Sequence, residues 1–79
     1  MNTEQIIRQE IGTVLALSAE QILLDKPLIE YGLDSVRTMD VVAGIEDMFD
    51  IEIDEMEMAT LHTLRQVIAL VEQKTQELA

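Results

Sequence analysis

Three segments of the chain repeat apolar side chains at helical spacing, and no two segments read as partner strands. Ile6, Ile7, Ile11, Val14 and Leu15 fall on one face of a helical period. They predict a first helix from Asn2 or Thr3 to about Ala16, with Glu4, Arg8 and Glu10 turned to water and Asn2 and Gln5 at capping-box spacing. Met39, Val42, Ile45 and Phe49 form the inward set of a second helix from about Ser35 to Met48. Gly44 inside it either admits a close neighbour or is simply tolerated. Leu64, Val67, Ile68 and Val71 mark a final helix from about Thr63, its N-cap, to Gln76.

The connecting segments read differently. From Ser18 to Leu33, Pro27 and Gly32 break the periodicity, so a long loop is expected, pinned across the bundle by Ile22, Leu23, Leu28, Ile29 and Leu33. Loops of this length in a compact domain are often functional. Phe49 to Asp54 alternates with period two, which taken alone argues for a strand. With no second strand to accept its hydrogen bonds, an extended loop anchored by Ile51 and Ile53 is expected instead. Met56 to Leu61 fits a short helical turn. The predicted fold class is therefore all-α: a four-helix bundle with one short helix and a long loop between the first two helices.

Size and composition narrow the chemistry. The 79 residues make a single domain, 1–79, with room for one small core and little for a catalytic cleft. No cysteine is present, so helix packing alone must hold the fold together. Hydrophobic residues make up 48% of the chain but aromatics only 3%, which predicts an aliphatic, methionine-rich core with Tyr31 and Phe49 as its aromatic members or neighbours.

Sixteen acidic against five basic residues give a net charge of -11. That field repels nucleic acid and anionic lipid and favours basic protein partners. Between Glu30 and Glu57 ten acidic residues stand against one basic residue, Arg37, so association with a cationic enzyme should be fast and salt-sensitive. Neither a signal-like start nor an apolar run approaching the roughly 20 residues of a bilayer span is visible, and a cytoplasmic monomer is expected.

Candidate chemistry is sparse. A Ser35-His62-Asp arrangement would need a base, an orienting group and an oxyanion site, and Gly-Leu-Asp-Ser is not the nucleophile elbow of the hydrolase fold. No catalytic residue is assigned, and His62 is read as a surface or core-edge residue. The acidic loop from Asp50 to Glu55 fails as a calcium loop: the central glycine is missing, and the twelfth position is Leu61 rather than glutamate. No metal site is assigned.

One motif remains. In Gly32-Leu33-Asp34-Ser35-Val36, Asp34 and Ser35 are both good helix caps, which by itself is an ordinary helix start. Together with Glu30-Tyr31 before it and Arg37-Thr38-Met39-Asp40 after it, the stretch resembles the phosphopantetheine attachment site of acyl carrier proteins. Glu46-Asp47-Met48-Phe49-Asp50-Ile51-Glu52-Ile53 looks like the helix end and following loop of the same family, and the resemblance continues through Leu61-His62-Thr63-Leu64 to Val71.

The resemblance implies that a phosphopantetheinyl transferase moves 4'-phosphopantetheine from coenzyme A to Ser35, with acyl cargo then held as a thioester. Asp34 would help organise the magnesium-dependent transfer complex, and Gly32 would let the backbone turn. Acyl- or aminoacyl-loading and processing enzymes would meet Val36 as an apolar contact, with Asp40, Glu46 and Asp47 facing their basic docking surfaces.

Two positions depart from carriers of fatty-acid synthesis, which usually have an acidic residue where Arg37 stands and proline where Asp54 stands. Arg37 either selects a cognate enzyme or pairs with a neighbouring acid. Gly-Leu-Asp-Ser looks more like polyketide than peptidyl carriers, so the expectation is a discrete, free-standing carrier of a specialised pathway. Fatty-acid and aminoacyl or peptidyl carriers are the neighbouring readings, and an unmodified acidic helical adaptor is the rival from another class.

Overall fold

A computed structural model describes residues 2–78, with side chains through residue 76. Its helices are α1 (Thr3–Leu15), α2 (Ser35–Phe49), α3 (Glu55–Met58) and α4 (Leu64–Leu78), and among the described residues there is no strand. The all-α expectation holds, short third helix included. The long loop is not featureless: it contains two 3-10 turns, Ala19–Gln21 and Leu28–Tyr31.

The helix ends follow local chemistry. Asn2 Oδ1 accepts from the Gln5 amide at 2.8 Å, and Thr63 Oγ1 accepts from the Gln66 amide at 3.3 Å, so both predicted caps form. Helices α1 and α2 close on left-handed residues, Ala16 and Asp50. At α3 a reciprocal box joins Asp54 and Glu57: the Glu57 amide donates to Asp54 Oδ1 at 2.8 Å and the Asp54 amide to Glu57 Oε1 at 3.1 Å. Asp54 thus starts a helix of only one turn.

Ile7, Ile11, Val42, Ile45, Leu64, Val67 and Val71 fill the centre between α1, α2 and α4, and Ile51 and Ile53 anchor the extended loop as expected. Three expectations about the core fail. Met39 is 62% exposed, because the true inward face of α2 is centred on Val41, Val42 and Ile45, which puts residue 39 over the helix shoulder. The core is not methionine-rich: Met48 and Met56 are also exposed, and among the described residues only Met58 packs against it from the side. In the long loop Ile22 and Leu28 are buried, but Leu23 and Ile29 are not. Phe49 and Tyr31 border the core as half-buried neighbours.

Polar contacts pin the loop where apolar ones do not. Arg8, expected in water, is half-buried: its guanidinium donates to Glu4 Oε2 at 2.9 Å and to the carbonyls of Ala19 and Ile22, closing the first 3-10 turn. Arg65 reaches Asp25 at 2.7 and 3.0 Å, and its amide donates to the Leu24 carbonyl. The Tyr31 hydroxyl accepts from the Leu23 amide at 2.8 Å, with Lys26 Nζ 4.7 Å from the ring centre. A Cβ on Gly44 would meet only the Glu10 carboxylate reaching across from α1, the movable end of a flexible side chain, so that contact does not by itself require glycine.

Candidate phosphopantetheine attachment site

The segment leading into α2 is built to turn sharply. After the Leu28–Tyr31 turn, Gly32 takes φ 96°, a left-handed conformation that a side chain would strain, and its amide closes the turn onto the Ile29 carbonyl at 3.1 Å. Asp34 follows in extended conformation as the N-cap: Oδ1 accepts from the Arg37 amide at 2.8 Å, and its carbonyl accepts from the Thr38 amide and hydroxyl. Because Asp34 is the cap, the Ser35 hydroxyl on the first helical residue is left outside the capping bonds, and Ser35 is exposed.

Ser35 stands on the rim of an open, mostly apolar groove of about 580 Å³ between the second 3-10 turn, the start of α2 and α3. Ile29, Leu33, Thr38, Met58 and Ala59 line it, with Asp34 and Glu55 at its edge. Ile29, Met58 and Ala59 were not legible as site residues. Thr38 was within reach of the pattern, one turn after Ser35, whereas Met58 joins only through the placement of α3.

The remaining sequence-predicted residues divide. Val36, Asp40 and Asp47 are exposed on the outward side of α2. Glu46 is half-buried and turned into the following loop, where Oε2 accepts from the Ile53 amide at 2.8 Å; it staples that loop to α2 instead of facing outward as expected. Arg37 pairs with the motif aspartate, Nη1 to Asp34 Oδ2 at 2.9 Å, both side chains about half exposed. The Asp34 carboxyl is held below its ordinary value, chiefly by the Arg37 amide and then by the guanidinium charge.

His62 serves the fold through its backbone, its carbonyl accepting from the Leu28 amide at 2.8 Å and its amide donating to Gln66 Oε1 at 2.9 Å, and it does not line the groove beside Ser35. Among the described residues no cluster of His, Asp or Glu is placed to hold a metal ion, and no helix is long and apolar enough to cross a membrane.

The family model for the phosphopantetheine attachment site matches residues 5–71. The chain belongs to the phosphopantetheine-attachment carrier family. It is similar to the acyl carrier protein of Streptococcus thermophilus, 35% identical over 72 residues covering 91% of this chain and 89% of that one. Among solved structures, a free-standing peptidyl carrier protein from a secondary metabolic pathway of Acinetobacter baumannii superposes with a TM-score of 0.76 at 25% identity, covering 89% of each chain. The HMG-ACPI domain of the CurA module of Lyngbya majuscula shares the fold at a TM-score of 0.80 and 16% identity, covering 96% of this chain and 78% of that one. The chain is a carrier whose cofactor is a covalently attached 4'-phosphopantetheine. The local geometry fits that group: an exposed hydroxyl at a helix start, free of the cap, beside a groove open to solvent.

Proposed function

We propose that Ser35 Oγ is the attachment point of the arm, and that the protein presents acyl intermediates to the enzymes of a specialised, polyketide-like pathway in the cytoplasm without catalysing a step itself. One observation carries the assignment: Asp34 caps α2, which leaves the neighbouring hydroxyl exposed on the groove rim. In the attachment reaction, catalysed by a phosphopantetheinyl transferase, the Ser35 hydroxyl loses its proton and becomes the ester oxygen, while adenosine 3',5'-bisphosphate leaves coenzyme A. The arm supplies a terminal thiol that holds cargo as a thioester.

The chain's own residues orient and receive. Gly32 and Asp34 fix the direction in which Ser35 leaves the helix, and the apolar walls at Ile29, Leu33 and Met58 offer shelter to the apolar part of a cargo close to its root. A tether of fixed origin raises the effective concentration of cargo at each enzyme that docks. The likeness to the Acinetobacter peptidyl carrier supports a specialised pathway, and Arg37 and Asp54 support it against fatty-acid synthesis.

The test is intact mass after incubation with coenzyme A, magnesium and a broad-specificity transferase. The wild type should gain one phosphopantetheine and Ser35→Ala none. A modified Ser35→Ala overturns the residue assignment; a wild type that several transferases leave unmodified favours the acidic adaptor.

A further inference from the structure

The charges along α2 are not evenly distributed. The carboxylate next to Ser35 is matched at 2.9 Å by Arg37, whose guanidinium is half exposed. On α2 the exposed side chains around that pair are apolar, Val36 at 70% and Met39 at 62%, as is Ile29 at 75% on the facing turn, while the exposed carboxylates nearest the groove mouth, Glu30 and Glu55, belong to that turn and to α3. Exposed carboxylates begin at Asp40 and continue to Asp47, about 8 and 18 Å along the helix axis from Ser35 at 1.5 Å per residue. A cation approaching the root of the arm along α2 therefore meets a compensated pair, both members about half exposed, whereas the same cation further along the helix meets bare negative charge.

We infer that the Asp34–Arg37 pair makes Arg37 a specificity-determining residue. It makes the α2 side of the groove mouth, across from Glu55, a charge-compensated apolar docking zone, and so selects enzymes that are apolar where they meet that side and basic where they lie over the Asp40–Asp47 half of α2. The inference rests on Ser35 carrying the arm. It also makes the chain a poor partner for enzymes with a basic residue beside the arm entrance, because that residue would face Arg37. Replacing Arg37 should not undo the helix start, since Asp34 caps through the backbone amide of residue 37, which any non-proline residue supplies.

The test uses full-length holo proteins and, as probe, a malonyl transferase of bacterial fatty-acid synthesis chosen for a basic rim at its arm entrance. Wild type, Arg37→Glu, Arg37→Gln and Gln73→Glu are compared; the last lowers the net charge by the same one unit as Arg37→Gln but on α4, away from the groove lining. Intact mass first establishes that each carries one arm, so a failure of the Ser35 assignment is seen before any kinetics. At about 0.03 M salt the KM for Arg37→Glu should fall about fivefold and that for Arg37→Gln about twofold, with kcat within about twofold and Gln73→Glu close to wild type; at about 0.3 M salt the differences should shrink. An unchanged or higher KM for Arg37→Glu overturns the inference. So does an equal fall for Arg37→Gln and Gln73→Glu, which would be an effect of net charge alone. If Arg37→Glu loses helical circular dichroism, the comparison of Arg37→Gln with Gln73→Glu decides.

Discussion

The frame formed by α1, α2 and α4 and the wall formed by α3 and the Leu28–Tyr31 turn are held by different means. In the frame, Ile7, Ile11, Ile45, Leu64 and Val71 are fully buried within one aliphatic cluster. The wall has one deeply buried side chain in its turn, Leu28, and none within α3. What holds α3 is its capping box, the flanking anchors Ile53 and Leu61, and an ion pair between Lys74 Nζ and Glu57 Oε2 at 2.9 Å. Apolar packing in the frame fixes where Ser35 stands, while polar contacts at the edge set the width of the groove beside it. On the proposal that Ser35 carries the arm, the wall is the part that could yield to cargo without disturbing the arm's origin.

The largest effect that would break this contrast is in the frame. Ile45→Ala should cost about 2 to 5 kcal/mol in chemical denaturation, because the side chain has no exposed surface and its neighbours cannot collapse into the gap without disturbing both other long helices. A cost near that of a surface change would mean that the frame is not the rigid part.

A smaller effect is expected in the wall. Asp54→Ala removes the cap of a single-turn helix and should cost about 1 kcal/mol. Amide exchange should accelerate at Glu57 and Met58, with little change at the amides of α2. Equal acceleration in α2 would show that wall and frame open together.

The smallest effect sharpens the same point through pH. Glu57 is held below its ordinary value, first by the Lys74 ammonium and then by the Asp54 amide. A carboxyl lowered on folding contributes stability that is present above its unfolded value of about 4.3 and lost as pH falls through the folded value. Acidification through that window should broaden or shift the Met58 methyl resonance while the Ile45 and Val71 methyls hold. In Glu57→Gln the Met58 signal should lose most of this pH response, and a response that persists unchanged would locate the sensitivity elsewhere.

The helices were legible because each announces itself locally. A cap such as Asn2 or Thr63 acts within four residues, and stripes such as Leu64, Val67, Ile68 and Val71 need only helical geometry to find one face. Two expectations failed where the partner lies far away in sequence or on another element. Arg8 finds its acceptors 11 and 14 residues on, and Glu46 finds an amide in a loop that the helix pattern does not see. Met39 failed for another reason: any apolar residue one turn from Val42 looks inward until Val41 is known to be buried, and that depends on where α1 crosses. At the site, Gly32, Asp34 and Ser35 could be read directly because one short turn positions all three. The groove could not, since Ile29 and Met58 meet across it only after the whole chain has folded.

The position of Ser35 in the first turn of α2 has an electrostatic consequence for the loaded protein. The aligned peptide dipoles of a helix leave partial positive charge at its N-terminus, worth about 0.3 to 1 kcal/mol to a negative group near that end at an exposed site. A phosphodiester on Ser35 would place its anionic oxygens at that pole, beside the guanidinium of Arg37. If Ser35 carries the arm, loading it would thus add to the stability of the helix that bears it.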